Sequence, residues 1–169
     1  LHDAARFVNW LHNGQGNGDT ETGSYTMASF PQGALSRNPG WNYAIPTVDE
    51  WFKAAYHGND GVTGNYYDYA TASNEAPSGT TINADNGNHN FVANVEVAGA
   101  GSAYGVFHMA GNVREWAENS TARGAVYYFS GGSIDGRADR FYNYGWDSES
   151  YEIGFRVIAS IVPVPTPDI

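Results

Sequence analysis

Cysteine is absent from this 169-residue chain. That gap excludes disulfides, thiolate metal sites and cysteine nucleophiles. Basic side chains are scarce too: 8 Lys plus Arg stand against 18 Asp plus Glu, for a formal charge of −10. Such a surface repels phosphate backbones and anionic headgroups, which argues against nucleic acid or a bare membrane as partner. Protonating all five histidines would still leave the balance negative. No run of about 18 apolar residues occurs, so no membrane-spanning helix is expected. No signal peptide is legible, and the chain opens without Met inside a helix-like pattern, so it reads as a fragment or a processed chain.

What is present supports one domain. With 41% hydrophobic and 15% aromatic residues, the side-chain volume suffices for a single core, and a monomer is expected. Ala4, Phe7, Val8 and Leu11 recur at helical spacing behind Asp3, with Gly14 as a stop, predicting an amphipathic helix over 3–13. A Gly/Asn/Thr-rich loop follows over 14–24. In PTVDEWFKAAYHG, Thr47 can cap a second helix with Glu50 at the capping-box position, Trp51, Ala54 and Ala55 sharing a face, and Gly58 ending it. Residues 59–102 are irregular, with NFVANVEV as a short candidate strand and Tyr66, Tyr67 and Tyr69 placed to pin the loops. Later strands are expected at AVYYFSGG and IGFRVIAS. Two helices, long ordered loops and a small sheet make an α+β pattern over 1–160. The tail IVPVPTPDI, with three prolines, reads as a linker over 161–169.

Four segments in order, IPTVDEWFKAA (45–55), FHMAGNVREW (107–116), SGGSIDGRADRF (130–141) and IGFRVIAS (153–160), resemble the formylglycine-generating-enzyme or sulfatase-modifying-factor family. DAARFVNWL (3–11) is similar to that family's first conserved helix, which implies that its N-terminal strand region is missing. The resemblance implies a fold similar to a C-type lectin: two helices, a small twisted antiparallel sheet and much ordered loop. The stretch TGNYYDYATASNEAPS resembles a planctomycete and cyanobacterial branch whose members carry PEP-CTERM sorting segments. From that follows the expectation of a secreted or cell-surface protein, although the sorting segment itself is absent from this sequence.

The family's oxidases bind copper through two cysteines just after a Gly-Gly-Ser turn. Here the turn is Gly131-Gly132-Ser133, and the corresponding positions are Gly136 and Phe141. Neither can serve as the sulfur ligand that Cu(I) selects, and the two methionines, Met27 and Met109, do not restore such a pair. No copper and no formylglycine-generating activity are expected, which suggests a pseudoenzyme. An iron-dependent branch of the family uses clustered histidines, but His2, His12, His57, His89 and His108 show no HxH or HxxxH pairing. The acid pairs Asp49 with Glu50, Glu115 with Glu118, and Glu149 with Glu152 do not by their spacing show facing carboxyls across a sugar. The Asn119-Ser120-Thr121 sequon is at chance level.

GNVREW raises a sharper question. In the family this segment holds calcium with backbone carbonyls and one glutamate, since a hard cation takes six to eight oxygens. The resemblance places the carbonyls at Gly111 and Val113, the carboxylate at Glu115 and the remaining side-chain ligand at His108, an imidazole where relatives have Asn or Asp. A second calcium site would draw on Asn83, Ala84 and part of 88–91. The competing reading of Glu115 is a partly buried carboxylate paired with Arg114 or Arg156. Trp116 is expected in the core, and Arg156 is expected to pin loops.

A scaffold that loses its ligands keeps its loops for recognition. Between 127 and 151 aromatics and charges mix as in a paratope or sugar-stacking site, and Asp135, Arg137, Arg140, Tyr142 and Trp146 are the candidate contacts for a glycan or protein ligand. Alternation in AVYYF puts Tyr127 and Phe129 on one face and Tyr128 on the other. The expected function is therefore a non-catalytic extracellular recognition module. Two alternatives stand beside it: an enzyme of the same family using His108, Glu115 or the Arg137/Arg140 pair in cysteine-independent oxidoreductase chemistry, and a variable binding protein of a diversity-generating retroelement, to which FYNYGWDSESYE is similar in composition.

Overall fold

The computed structural model describes residues 1–29, 35–75, 101–109, 113–118, 125–128, 142–145, 150–151 and 153–161, with strand backbone alone at 125–128 and 142–145. Helix α1 spans His2–His12 and buries Ala4, Ala5, Val8 and Asn9. The expected face holds at Ala4 and Val8. Phe7, however, is 42% exposed, while Tyr25 and Trp116 share the buried cluster with Ala4 and Ala5. Phe7 instead meets Phe155 edge-on, with ring centroids 5.6 Å apart.

Asn9, buried mid-helix, is fully satisfied. Its Nδ2 donates to the carbonyls of Thr20 at 2.9 Å and Tyr25 at 3.0 Å, and its Oδ1 accepts from the Tyr25 amide at 2.8 Å. One side chain thereby fastens the 14–25 loop to α1, since a buried amide left unpaired would be costly.

Helix α2, Val48–Tyr56, begins as its sequence dictates. Thr47 Oγ1 accepts from the Glu50 amide at 3.2 Å, and Glu50 Oε2 accepts from the Thr47 amide at 2.8 Å, closing the capping box. The helix stops one residue before the expected Gly58 neighbourhood, with His57 extended. Beyond it the tyrosines do pin the loop. The Tyr67 amide donates to the Tyr56 carbonyl at 2.8 Å, Tyr69 pairs with Ser73, and the Tyr66 ring lies 5.3 Å from Phe52.

Six short strands are described: β1 Tyr43–Ala44, β2 Arg114–Trp116, β3 Ala125–Tyr128, β4 Tyr142–Gly145, β5 Ile153–Phe155 and β6 Ile158–Ala159. β1 pairs antiparallel with β6, and β3 with β4. β2 pairs parallel with β5, in register Arg114 to Ile153, Glu115 to Gly154 and Trp116 to Phe155. The sheet expected to be antiparallel thus has a parallel pair among its described strands. The 36 residues between β2 and β5 (117–152) leave ample chain for the crossover that parallel pairing requires. The predicted strand at 153–160 divides at Arg156 and Val157, and NFVANVEV lies outside the described residues. GNVREW and the 141–152 stretch, read as loops, contribute strands β2 and β4.

Two core clusters result. One gathers Leu1, Ala4, Ala5, Val8, Tyr25, Ile45 and Trp116, among others; the second gathers Trp51, Ala55, Tyr56, Ala70 and Met109. β2 runs between them. Successive strand residues point to opposite faces, so Trp116 enters the first cluster as expected while Glu115 reaches toward Trp51 in the second.

Candidate functional site

Glu115 is the point where four segments meet. Its Oε2 accepts from the Trp51 indole Nε1 of α2 at 2.7 Å and from Arg156 Nε at 2.5 Å, and its Oε1 accepts from Arg156 Nη2 at 2.6 Å. The carboxylate is 8% exposed. Arg156 Nη2 also donates to the His108 carbonyl at 3.2 Å. The guanidinium, planar and forked, can serve carboxylate and carbonyl together. Arg156 is thus the loop-pinning arginine that the sequence suggested.

The residues proposed as calcium ligands divide accordingly. His108 takes a left-handed backbone, φ +59°, that turns its carbonyl onto Arg156. Val113 is half-buried and packs its Cγ2 at 3.0 Å from where a side chain on Gly154 would begin. Gly111, Asn83 and Ala84 lie outside the described residues, as do Asp135, Arg137, Arg140 and Trp146. Tyr142 opens β4 opposite Tyr128. A Glu115 already held by a guanidinium does not fit calcium ligation, because the two cations would compete for one carboxylate and repel each other. Among the described residues, no group of three or more His, Cys, Asp or Glu could hold a metal. His12 Nδ1 accepts from the Asn42 amide, far in function from an iron ligand, and Met27 and Met109 sit in separate core clusters.

Sequence reasoning missed a second ion-pair system. Arg37 grips Glu50 through Nη1 at 2.9 Å and Nη2 at 2.5 Å, donates to the Ile45 carbonyl at 2.9 Å, and contacts Glu118 through Nε. Its guanidinium lies 4.6 Å from the Trp41 ring centroid. One cation therefore serves two carboxylates. Arg37's hydrogen bonds hold Glu50 below the usual carboxylate range, whereas burial pushes Glu118 up to about 7 against the pull of Arg37. The offered acid pair Glu115/Glu118 is thus split between two arginines.

A third cluster closes the exit of α2. His57 Nδ1 accepts from the Asn59 amide at 3.0 Å and lies 2.9 Å from the Tyr104 hydroxyl, and Nε2 lies 3.0 Å from the Val62 carbonyl. An amide can only donate, so Nδ1 is the acceptor and the ring hydrogen sits on Nε2. The sequence signals were present as a tyrosine and a histidine 47 positions apart, which no spacing rule would pair.

Two helices, short paired strands and long fixed loops, gathered on a part-buried Arg–Glu–Trp contact, define an α+β domain. Residues 1–161 match the sulfatase-modifying factor enzyme 1-like domain, and the chain belongs to that family. A solved structure titled "Crystal Structure of CarF" is similar, with a TM-score of 0.56 and 23% identity over 94% of this chain. At that identity the likeness speaks for the fold. The chain spans 64% of the CarF chain. No curated protein sequence is significantly similar to it.

Proposed function

We propose that this chain is a non-catalytic member of its family, acting as a recognition domain outside the cell. The observation that carries the reading is the pair Gly136 and Phe141, a hydrogen and a benzyl group where the family's oxidases are expected to hold copper by sulfur. Two features support it. The chain has no cysteine elsewhere to substitute, and the one motif carboxylate, Glu115, is committed to Arg156 and Trp51. A carboxylate so bound is a poor acid, base or metal ligand. The ligand-facing residues in this proposal are Asp135, Arg137, Arg140, Tyr142 and Trp146, and the ligand is an extracellular glycan or protein.

The test is direct. Purified protein is incubated with copper, oxygen and a peptide of the Cys-Thr-Pro-Ser-Arg type, and aldehyde is assayed by hydrazide capture. No aldehyde is the expected result. Aldehyde above a no-protein control, or stoichiometric tightly bound copper or iron by elemental analysis, would overturn the proposal.

A further inference from the structure

One surface carries an assignment that neither the family's chemistry nor the 127–151 region supplies. Val62 is 58% exposed, Tyr66 41% and Tyr104 37%, and all three belong to the cluster around His57. The Tyr66 ring stands edge-on to the imidazole at 5.2 Å, and the Tyr104 ring lies 5.9 Å from it. Both tyrosines are held in place. Tyr66 packs on Phe52 as well, and Tyr104 is fixed by its hydroxyl at His57 Nδ1 and by the Asn59 side chain, which donates to the neighbouring Ala103 carbonyl at 3.2 Å. Rigid aromatic faces exposed together bind at a low entropy cost.

Charge decides what they would take. Asp60 lies two residues before Val62 and is close enough to His57 for the two to interact electrostatically. The Val62 amide at 3.0 Å and the Asn65 side chain donate to its carboxylate, and those bonds hold it below the ordinary range, so it is ionised at neutral pH. From residue 54 to residue 113 the sequence has no Lys or Arg, while Asp60, Asp68, Glu75, Asp85 and Glu96 fall within that span. An aromatic face beside a fixed carboxylate attracts an ammonium or guanidinium through the ring quadrupole and the field of the acid. A neutral sugar fits less well. It needs directional hydrogen bonds, and Asp60, the Asn59 Nδ2 and the Tyr104 hydroxyl are already engaged within the chain.

We infer that Tyr66 and Tyr104, gathered on His57 together with Asp60 of the same 57–66 loop, form a docking surface for Lys or Arg side chains presented by a basic polypeptide partner. The inference deepens the recognition reading and rests on it, naming the class of one partner and the face that meets it. The net charge of −10 adds long-range attraction for the same class.

The experiment is a titration of the whole chain with a blocked peptide of alternating Gly and Arg at low salt, followed by the ring and amide resonances of Tyr66 and Tyr104 in NMR. Weak, saturable binding that shifts both tyrosines is expected. Asp60→Asn, which keeps the acceptor for the Val62 amide and, once the Asn65 amide turns over, a donor to the Asn65 oxygen, and Tyr66→Leu, which keeps apolar packing on Phe52, should each weaken binding about threefold, and the double variant about tenfold. The same peptide with Glu in place of Arg should not bind. Affinity unchanged in both single variants, absence of shifts at the two tyrosines, or equal shifts with a neutral cello-oligosaccharide would overturn the inference. Its failure is distinguishable from that of the recognition reading: peptide binding lost with the aldehyde assay still negative sinks only this surface, and aldehyde formation sinks the reading beneath it.

Discussion

Glu115 and Arg156 face each other through two hydrogen bonds, Nε to Oε2 at 2.5 Å and Nη2 to Oε1 at 2.6 Å, with the Trp51 indole as third donor. This contact joins α2, β2, the turn at 107–108 and the junction between β5 and β6. It sits between the two core clusters, so it orients both. A bidentate pair with a near-buried carboxylate is a geometric lock more than a source of net stability, because desolvation offsets much of the attraction.

Breaking one side of the lock should therefore be far worse than removing both. Arg156→Met leaves Glu115 buried without its cation and should cost about 3–5 kcal/mol. Arg156→Lys should fall in between, since an ammonium cannot serve both carboxylate oxygens and the His108 carbonyl. The double variant Glu115→Leu with Arg156→Met should recover much of the loss. Urea midpoints for the four proteins measure this; equal losses in the single and double variants would show that the pair stabilises outright.

The capping box makes a smaller, cleaner prediction. Thr47→Ala removes the hydroxyl that accepts from the Glu50 amide and should destabilise the fold by about 1 kcal/mol, while Thr47→Ser should change little. Thermal melts of the two variants check the pair. The Ala variant keeps the backbone amide that donates to Glu50 Oε2, so the Glu50 contact with Arg37 should persist.

Glu118 gives the pH dependence, and its sign is unusual for a carboxylate. Its value in the folded protein is raised to about 7 from an ordinary 4.5, with burial the main cause. Between those two values the folded state holds more proton than the unfolded one, so this group's contribution to stability falls as pH rises through that window and levels off above it. Glu50 works the other way: its lowered value gives stability that is present above its ordinary range and lost in acid. In Glu118→Gln the fall between pH 5 and 8 should flatten. Unfolding midpoints of wild type and variant across that range decide it, and parallel curves would refute the role of Glu118.

How far the sequence could be read follows from the range of the forces involved. The capping box at Thr47 and Glu50, the face carrying Trp51 and Ala55, and the strands at 125 and 153 are local patterns, visible in a window of a few residues. Phe7 was misplaced because helical periodicity records which residues are apolar, and the neighbours decide which are covered. Trp116 was legible as core. Of the two partners open to Glu115, Arg156 could be chosen only once β2 and β5 were paired in register. Arg37 with Glu118, and His57 with Tyr104, join residues 81 and 47 positions apart and have no local signature.

Calcium tests the same lock from another side. The family resemblance assigns Glu115 to a calcium ion, yet in this chain both its oxygens accept from a guanidinium and His108 replaces an oxygen donor with an imidazole. A divalent cation at that carboxylate would have to displace Arg156 or lie beside it, and near-buried like charges a few Å apart repel strongly. Arg156 would also have to give up the His108 carbonyl, freeing the turn that the left-handed His108 backbone maintains. The expected result is that the melting temperature in 5 mM calcium differs from that in excess chelator by no more than about 1 °C, below the roughly 2–4 °C that 1 kcal/mol of added stability gives a domain of about 150–250 residues. A rise of several degrees that Glu115→Gln abolishes would mean that the carboxylate leaves arginine for the metal. The same rise surviving in Glu115→Gln would place the ion elsewhere in the chain and leave the lock intact.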